Sequence, residues 1–198
     1  MSGRRTIGRW SALGAAAVLA CALTTAVVAS RVDDGSELIA AIDEAPLIRV
    51  ADIEAADGIP GRGVYVQLTE TGHLCVWEAS SATSRDRGGG CNTVDDPLNG
   101  GVLSATLSYD GGPAMSDVRG ATIFGLTAAS VARAKVLMND GTFREIKLKK
   151  AKVGSGEFGA FGYRFKKADL RRGIGPIAVV ALDAAGGELG RQPTGIGG

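Results

Sequence analysis

The stretch Val131-Ala-Arg-Ala-Lys-Val-Leu-Met138, Asn139-Asp140-Gly141-Thr142, Phe143-Arg-Glu-Ile-Lys-Leu148 reads as a β-hairpin. Asp-Gly between two extended runs is a strong short-range hairpin signal, because Gly adopts the positive φ that a tight turn needs. The same period continues in both directions. Upstream, Val64 to Thr69 and Leu74 to Glu78 flank the turn Glu70-Thr71-Gly72-His73. Val102 to Tyr109 and Gly120 to Leu126 are two further extended runs, the first closed by Asp110-Gly111-Gly112-Pro113. Downstream, Gly159 to Phe165 and Ile177 to Leu182 add two more, and Asp183 to Gly187 turns the last toward Glu188-Leu189. About eight short strands at regular spacing, with no long helical pattern among them, predict a mainly β domain over residues 64–191. The expected form is an antiparallel β-sandwich, Ig-like or similar. The tail from Gln192 to Gly198 is expected to be disordered.

The part before residue 64 has a different character. From Trp10 to Ser30 there is no charged residue, and Arg4, Arg5 and Arg9 precede that run. Such a segment would make a helix of about 30 Å, the thickness of a bilayer core. It predicts an N-terminal transmembrane or signal helix at 10–30, behind a cytoplasmic n-region at 1–9. With the arginines holding the N-terminus inside, the chain would be a single-pass protein of the cell membrane with its C-terminal domain extracytoplasmic. The alternative is secretion after cleavage near Ala29, at Val27-Val28-Ala29. Val18-Leu19-Ala20-Cys21 also fits a lipid-attachment box loosely.

Residues 31–63 read as an acidic stalk. Leu38, Ile39 and Ile42 recur at helical spacing, Pro46 stops that short helix, and Leu47 to Gly63 is irregular. Between Asp33 and Asp57 lie eight carboxylates and one Arg. Between Arg133 and Arg172 lie twelve Lys and Arg against four Asp and Glu. The two regions either attract each other across the fold or form separate solvated surfaces.

Cys75 and Cys91 are the cysteines that remain outside the apolar segment, and in an exported domain they predict one disulfide. A loop of that size gives about 3 kcal/mol by the chain-entropy account. The loop Ser80 to Gly90 is polar and Gly-rich, so the bond is expected to staple a loose surface segment.

Catalytic patterns do not survive inspection. His73 is the single histidine and lies at a turn; zinc needs three or four ligands, and oxidised cysteines supply none. Gly154-Ser155-Gly156 has the wrong spacing for a nucleophile elbow. Gly88-Gly89-Gly90 lacks the Gly-Lys-Ser/Thr of a phosphate loop. Asp95-Asp96-Pro97-Leu98-Asn99-Gly100 lacks the ligand register of a calcium loop. The sequence therefore predicts a protein that is not an enzyme and needs no cofactor or metal.

One cluster has binding character. Lys147, Lys149, Lys152, Lys166, Lys167, Arg171 and Arg172 form a candidate patch for an anionic ligand, with Arg164 nearby and Phe161, Tyr163 and Phe165 alternating among them. On a strand such aromatics are read as the core face. Expected partners are the membrane, through residues 10–30, and anionic lipid, cell-wall polymer or another membrane protein; nucleic acid is not expected in that compartment.

The Ala/Gly/Arg bias, the Ala-rich export segment, the Cys75–Cys91 spacing and the runs Val131–Gly141 and Ala178–Leu189 together give the chain its character. It resembles the uncharacterised membrane-tethered or secreted envelope proteins of high-GC bacteria, a resemblance that implies a compartment and no site residue. The functional expectation is a binding or interaction module of the envelope. The alternatives are an accessory or regulatory subunit acting through its membrane helix, and an envelope hydrolase.

Overall fold

The computed structural model describes residues 45–110 and 118–194. The apolar run at 10–30 and the helix expected near Leu38 lie outside them. Among the described residues there are twelve strands and one short helix: β1 (Ile48–Ile53), β2 (Arg62–Leu68), β3 (His73–Ala79), β4 (Arg87–Thr93), β5 (Leu103–Asp110), β6 (Gly120–Ala128), β7 (Arg133–Met138), β8 (Phe143–Ile146), β9 (Lys149–Val153), β10 (Gly156–Arg164), α1 (Lys167–Arg171), β11 (Pro176–Leu182) and β12 (Glu188–Pro193). They form three antiparallel four-stranded sheets, in the orders β1-β2-β3-β4, β5-β6-β10-β9 and β12-β11-β7-β8. The protein is mainly β, as the alternation predicts.

The β7–β8 turn closes as its sequence dictates. Gly141 has φ +79°, and the Met138 amide donates to the Thr142 carbonyl at 2.9 Å. Asp140 Oδ1 accepts from both the Thr142 amide and its hydroxyl.

The second sheet is buried on both faces. Along β6, Ala121 and Ile123 enter one hydrophobic cluster, with Phe161 of β10 and Val136 and Val179 of the third sheet. Phe124 and Leu126 enter the other, with Ala160 of β10 and Ile53, Val64 and Val66 of the first sheet. Consecutive residues of a strand point to opposite faces, so one sheet serves two cores. Gly162 makes this approach close: a Cβ there would fall 2.5 Å from Ile53 Cγ1.

The structure corrects several expectations. Leu47 to Gly63 is not an irregular stalk, since β1 pairs with β2 from Ile48↔Val66 to Ile53↔Arg62 and buries Ile53. Residues Arg87 to Gly90 are not loose loop but part of β4, paired residue by residue with β3. Cys75 and Cys91 are directly opposite in that pairing and are disulfide-bonded. Gln192 is ordered within β12, and its amide clasps both backbone groups of Ala105 on β5 at 2.7 and 3.1 Å. Residues 195–198 lie outside the described part. Lys147 lies between β8, which ends at Ile146, and β9, which begins at Lys149.

Candidate functional site

A row of polar residues crosses the end of the second sheet. Thr122 of β6 pairs with Ser108 of β5 on one side and with Arg164 of β10 on the other, so the three side chains share a face. That face covers the first sheet, and from there Glu78 of β3 meets the row. Thr122 Oγ1 donates to Glu78 Oε2. Arg62 at the start of β2 places Nε 2.9 Å from Glu78 Oε1, an ion pair without hydrogen-bond alignment. The outer nitrogens of Arg62 donate to Asp86, one to its carboxylate and one to its backbone carbonyl, each at 2.9 Å. Arg62 is thereby fixed, and Glu78 is matched.

Arg164 is not matched. Its residue is 8 % exposed, and Nε and both Nη atoms are buried without a hydrogen-bond partner. Burial lowers its pKa from the ordinary arginine value, Glu78 opposes that shift, and Arg62 adds to it. A buried guanidinium with unused donors costs free energy, of order 1–3 kcal/mol or more for a charged group. Native structures give the great majority of such buried polar groups at least one hydrogen-bond partner.

Arg164 also lines a cavity of about 470 Å³. Its lining includes Glu78, Arg62, Asp86, Arg87 and Gly88 on the side of the first sheet, Ser108, Tyr109, Thr122 and Arg164 on that of the second, and Arg119 and Ile59. Tyr109 is 53 % exposed and Ile59 36 %. The Arg87 guanidinium lies 5.2 Å from the Trp77 ring centroid, a cation–π arrangement. In a partly desolvated hollow of this kind, surplus guanidinium donors bind an oxyanion, bidentately where carboxylate or phosphate geometry allows.

The sequence places Arg164 on the basic surface; the structure buries it. The signal that finds it is parity. In Phe161-Gly162-Tyr163-Arg164-Phe165 the aromatics occupy one face, and Phe161 and Phe165 are buried there. Arg164 falls on the other face with Gly162 and Ala160, which is also a core face. Glu78 carries the same signal at the end of Leu74-Cys-Val-Trp-Glu.

The surface lysines are dispersed. Lys147, Lys149 and Lys166 line a groove that also holds Asp52, Glu54 and Glu145. Lys147 pairs with Glu54 at 3.3 Å and Lys149 with Asp52 at 3.8 Å. Lys152 lines a separate groove with Lys150 and Glu157. Lys167 opens α1, where its amide donates to Asp57 Oδ2 at 2.7 Å, and Arg171 and Arg172 are exposed at the other end of that helix. The acidic and basic stretches thus meet across the fold, which leaves less free charge than the sequence run implies. His73 Nδ1 lies 3.2 Å from the Thr71 hydroxyl. Among the described residues no group of His, Cys, Asp or Glu is placed to hold a metal, and no helix is long and apolar enough to cross a membrane. Set against known protein families, characterised proteins and solved structures, the chain matches none.

Proposed function

We infer that this protein is a non-catalytic binding module of the cell envelope, held to the membrane by residues 10–30. Its packed antiparallel sheets are a sandwich-type scaffold that presents an anion-binding cavity outward. The observation that carries this reading is Arg164: a buried guanidinium with three unpartnered nitrogens, in a residue that lines an open cavity. Such an arrangement is costly for folding alone and useful for holding a negatively charged group.

The test has two arms. Titration of the full-length chain in detergent with inorganic phosphate should give saturable, salt-sensitive binding, weakened at least tenfold in Arg164→Met, as the loss of one or more charged hydrogen bonds predicts. Equal binding by wild type and variant would remove Arg164 from the site. The intact mass of native protein from membrane and medium decides the tether. Full-length chain in the membrane supports it, and a species beginning near Ser30 in the medium makes the protein a free secreted domain.

A further inference from the structure

We propose that the free edge of β4 receives an extended segment of another protein, added as a fifth strand to the first sheet, with an aliphatic or aromatic residue beside Trp77. This surface needs no donor from Arg164, so it goes beyond the anion-binding reading above and stands or falls apart from it.

The phase of the β3–β4 ladder decides which backbone groups face outward. The Val94 amide donates to the Gly72 carbonyl at 2.8 Å, which makes these two a hydrogen-bonded pair. Two steps along the same register, Val76 and Gly90 are another. Gly89 and Cys91 fall between, so their amides and carbonyls point away from the sheet. Neither residue's backbone has a hydrogen-bond partner among the described residues, and Gly89 and Gly90 are exposed. Donors and acceptors that repeat at every second residue, about 7 Å apart, match another extended polypeptide backbone.

The other sheet edges among the described residues are guarded in the usual ways. β9 has three lysines, and β12 has Glu188, Arg191 and Pro193. β1 has a register shift, and β8 is four residues long. The Gln192 amide already occupies Ala105 on β5. From Gly88 to Thr93, β4 has no charge, no proline and an unbroken register, and Cys91 fastens it to β3. Glycine loosens a strand but does not shield its outward groups.

Trp77 gives the edge a side-chain preference. It is paired with Gly89, on the face opposite to that of Glu78. Its Nε1 donates to Gln67 Oε1 on β2 at 2.9 Å, and Cε3 lies over Gly89, 2.8 Å from where a Cβ would stand. The six-membered ring thus reaches across β4 toward the free edge. A residue set opposite Gly89 on an added strand lies beside that ring. β4 itself has no aliphatic or aromatic residue, so a second copy paired through β4 brings nothing to the indole.

The experiment is amide hydrogen exchange by NMR on the full-length chain in detergent, with the peptide acetyl-Ser-Val-Ser-Phe-Ser-Val-Ser-amide as probe. Exchange at Gly89 and Cys91 should slow about tenfold or more, and at Gly90, already bonded to β3, much less. Only every second peptide amide faces β4, so N-methylation of one alternate set should abolish the effect, and of the other set leave it. Alanine in place of the central Phe should weaken binding roughly two- to tenfold, the range of an aromatic contact, and Trp77→Leu should remove that difference. Unchanged exchange at Gly89 and Cys91, or an equal effect of methylation in both sets, would overturn strand addition. Equal affinity of the Phe and Ala peptides for the unaltered protein would overturn the residue assigned beside Trp77. Protection of both amides without peptide would give the edge to this chain itself, to a second copy where it rises with concentration, and overturn the outside partner.

Discussion

At the scale of single residues, Arg164 sets binding against stability. Its guanidinium is buried without partners, while Glu78, the neighbouring acid, already has Arg62 and Thr122. Removing Arg164 therefore leaves no unpaired charge behind, unlike the breaking of a matched buried pair. Arg164→Met is expected to stabilise the anion-free protein by about 1–3 kcal/mol, a rise of several degrees in Tm by calorimetry. Glu78→Gln should act in the opposite direction, because it weakens the pairing of half-buried Arg62. A lower Tm in Arg164→Met would mean that the guanidinium has a structural partner after all. The residue was legible in the sequence as a charge, and its burial was hidden because an adjacent lysine run suggested a solvated surface.

At the scale of elements, the twelve strands divide instructively. The eight with clear β patterning in the sequence are all present. The four that were not legible are β1, β4, β9 and β12, and each lies at the edge of its sheet. Edge strands need not bury alternate residues, and natural ones are often blunted by charge, Gly or Pro. β9 is Lys-Lys-Ala-Lys-Val, β4 carries Gly88-Gly89-Gly90, β1 includes Arg49 and Asp52, and β12 ends in Pro193. Their pairing is dictated by the neighbour rather than by their own pattern. β4 depends most on help. Reduction of Cys75–Cys91 should raise amide hydrogen exchange in β4 and, because Arg87 and Gly88 form part of the cavity wall, weaken anion binding severalfold. Unchanged exchange after reduction would show that pairing alone holds the strand. The β7–β8 turn has its own pH dependence. Hydrogen bonds from the Thr142 hydroxyl and amide hold the Asp140 carboxyl below its ordinary value. Its stabilising contribution is thus present above the unfolded carboxylate range and lost as pH falls through the lower folded value. Protection of the Thr142 amide, followed by NMR, should fall only under acid conditions and should be weak at all pH values in Asp140→Ala.

At the scale of the whole molecule, two cores share the second sheet, so neither can be lost alone. Phe161→Ala acts on one and Phe124→Ala on the other, and each should cost about 3–5 kcal/mol. Both should lower one common transition in calorimetry rather than split it; two resolved transitions would show that the cores unfold independently. The acidic and basic segments that meet through Lys147–Glu54 and Lys149–Asp52 are exposed pairs. Such pairs contribute about 0–1 kcal/mol each, so the fold should tolerate salt that suppresses anion binding.

The doubly buried sheet also has a problem of address. In a sheet with one wet face, a slip of one residue is punished because apolar side chains emerge into water. Here a slip would merely exchange Ile123 for Phe124 and move each into the other's core, a far milder penalty. What forbids it is the polar row, since the same slip would drive Arg164 and Thr122 into a compartment with no Glu78 to meet them. The charge that burdens the folded state thereby spells out which alignment is the right one, and a chain freed of it would gain melting temperature while losing a reason to choose.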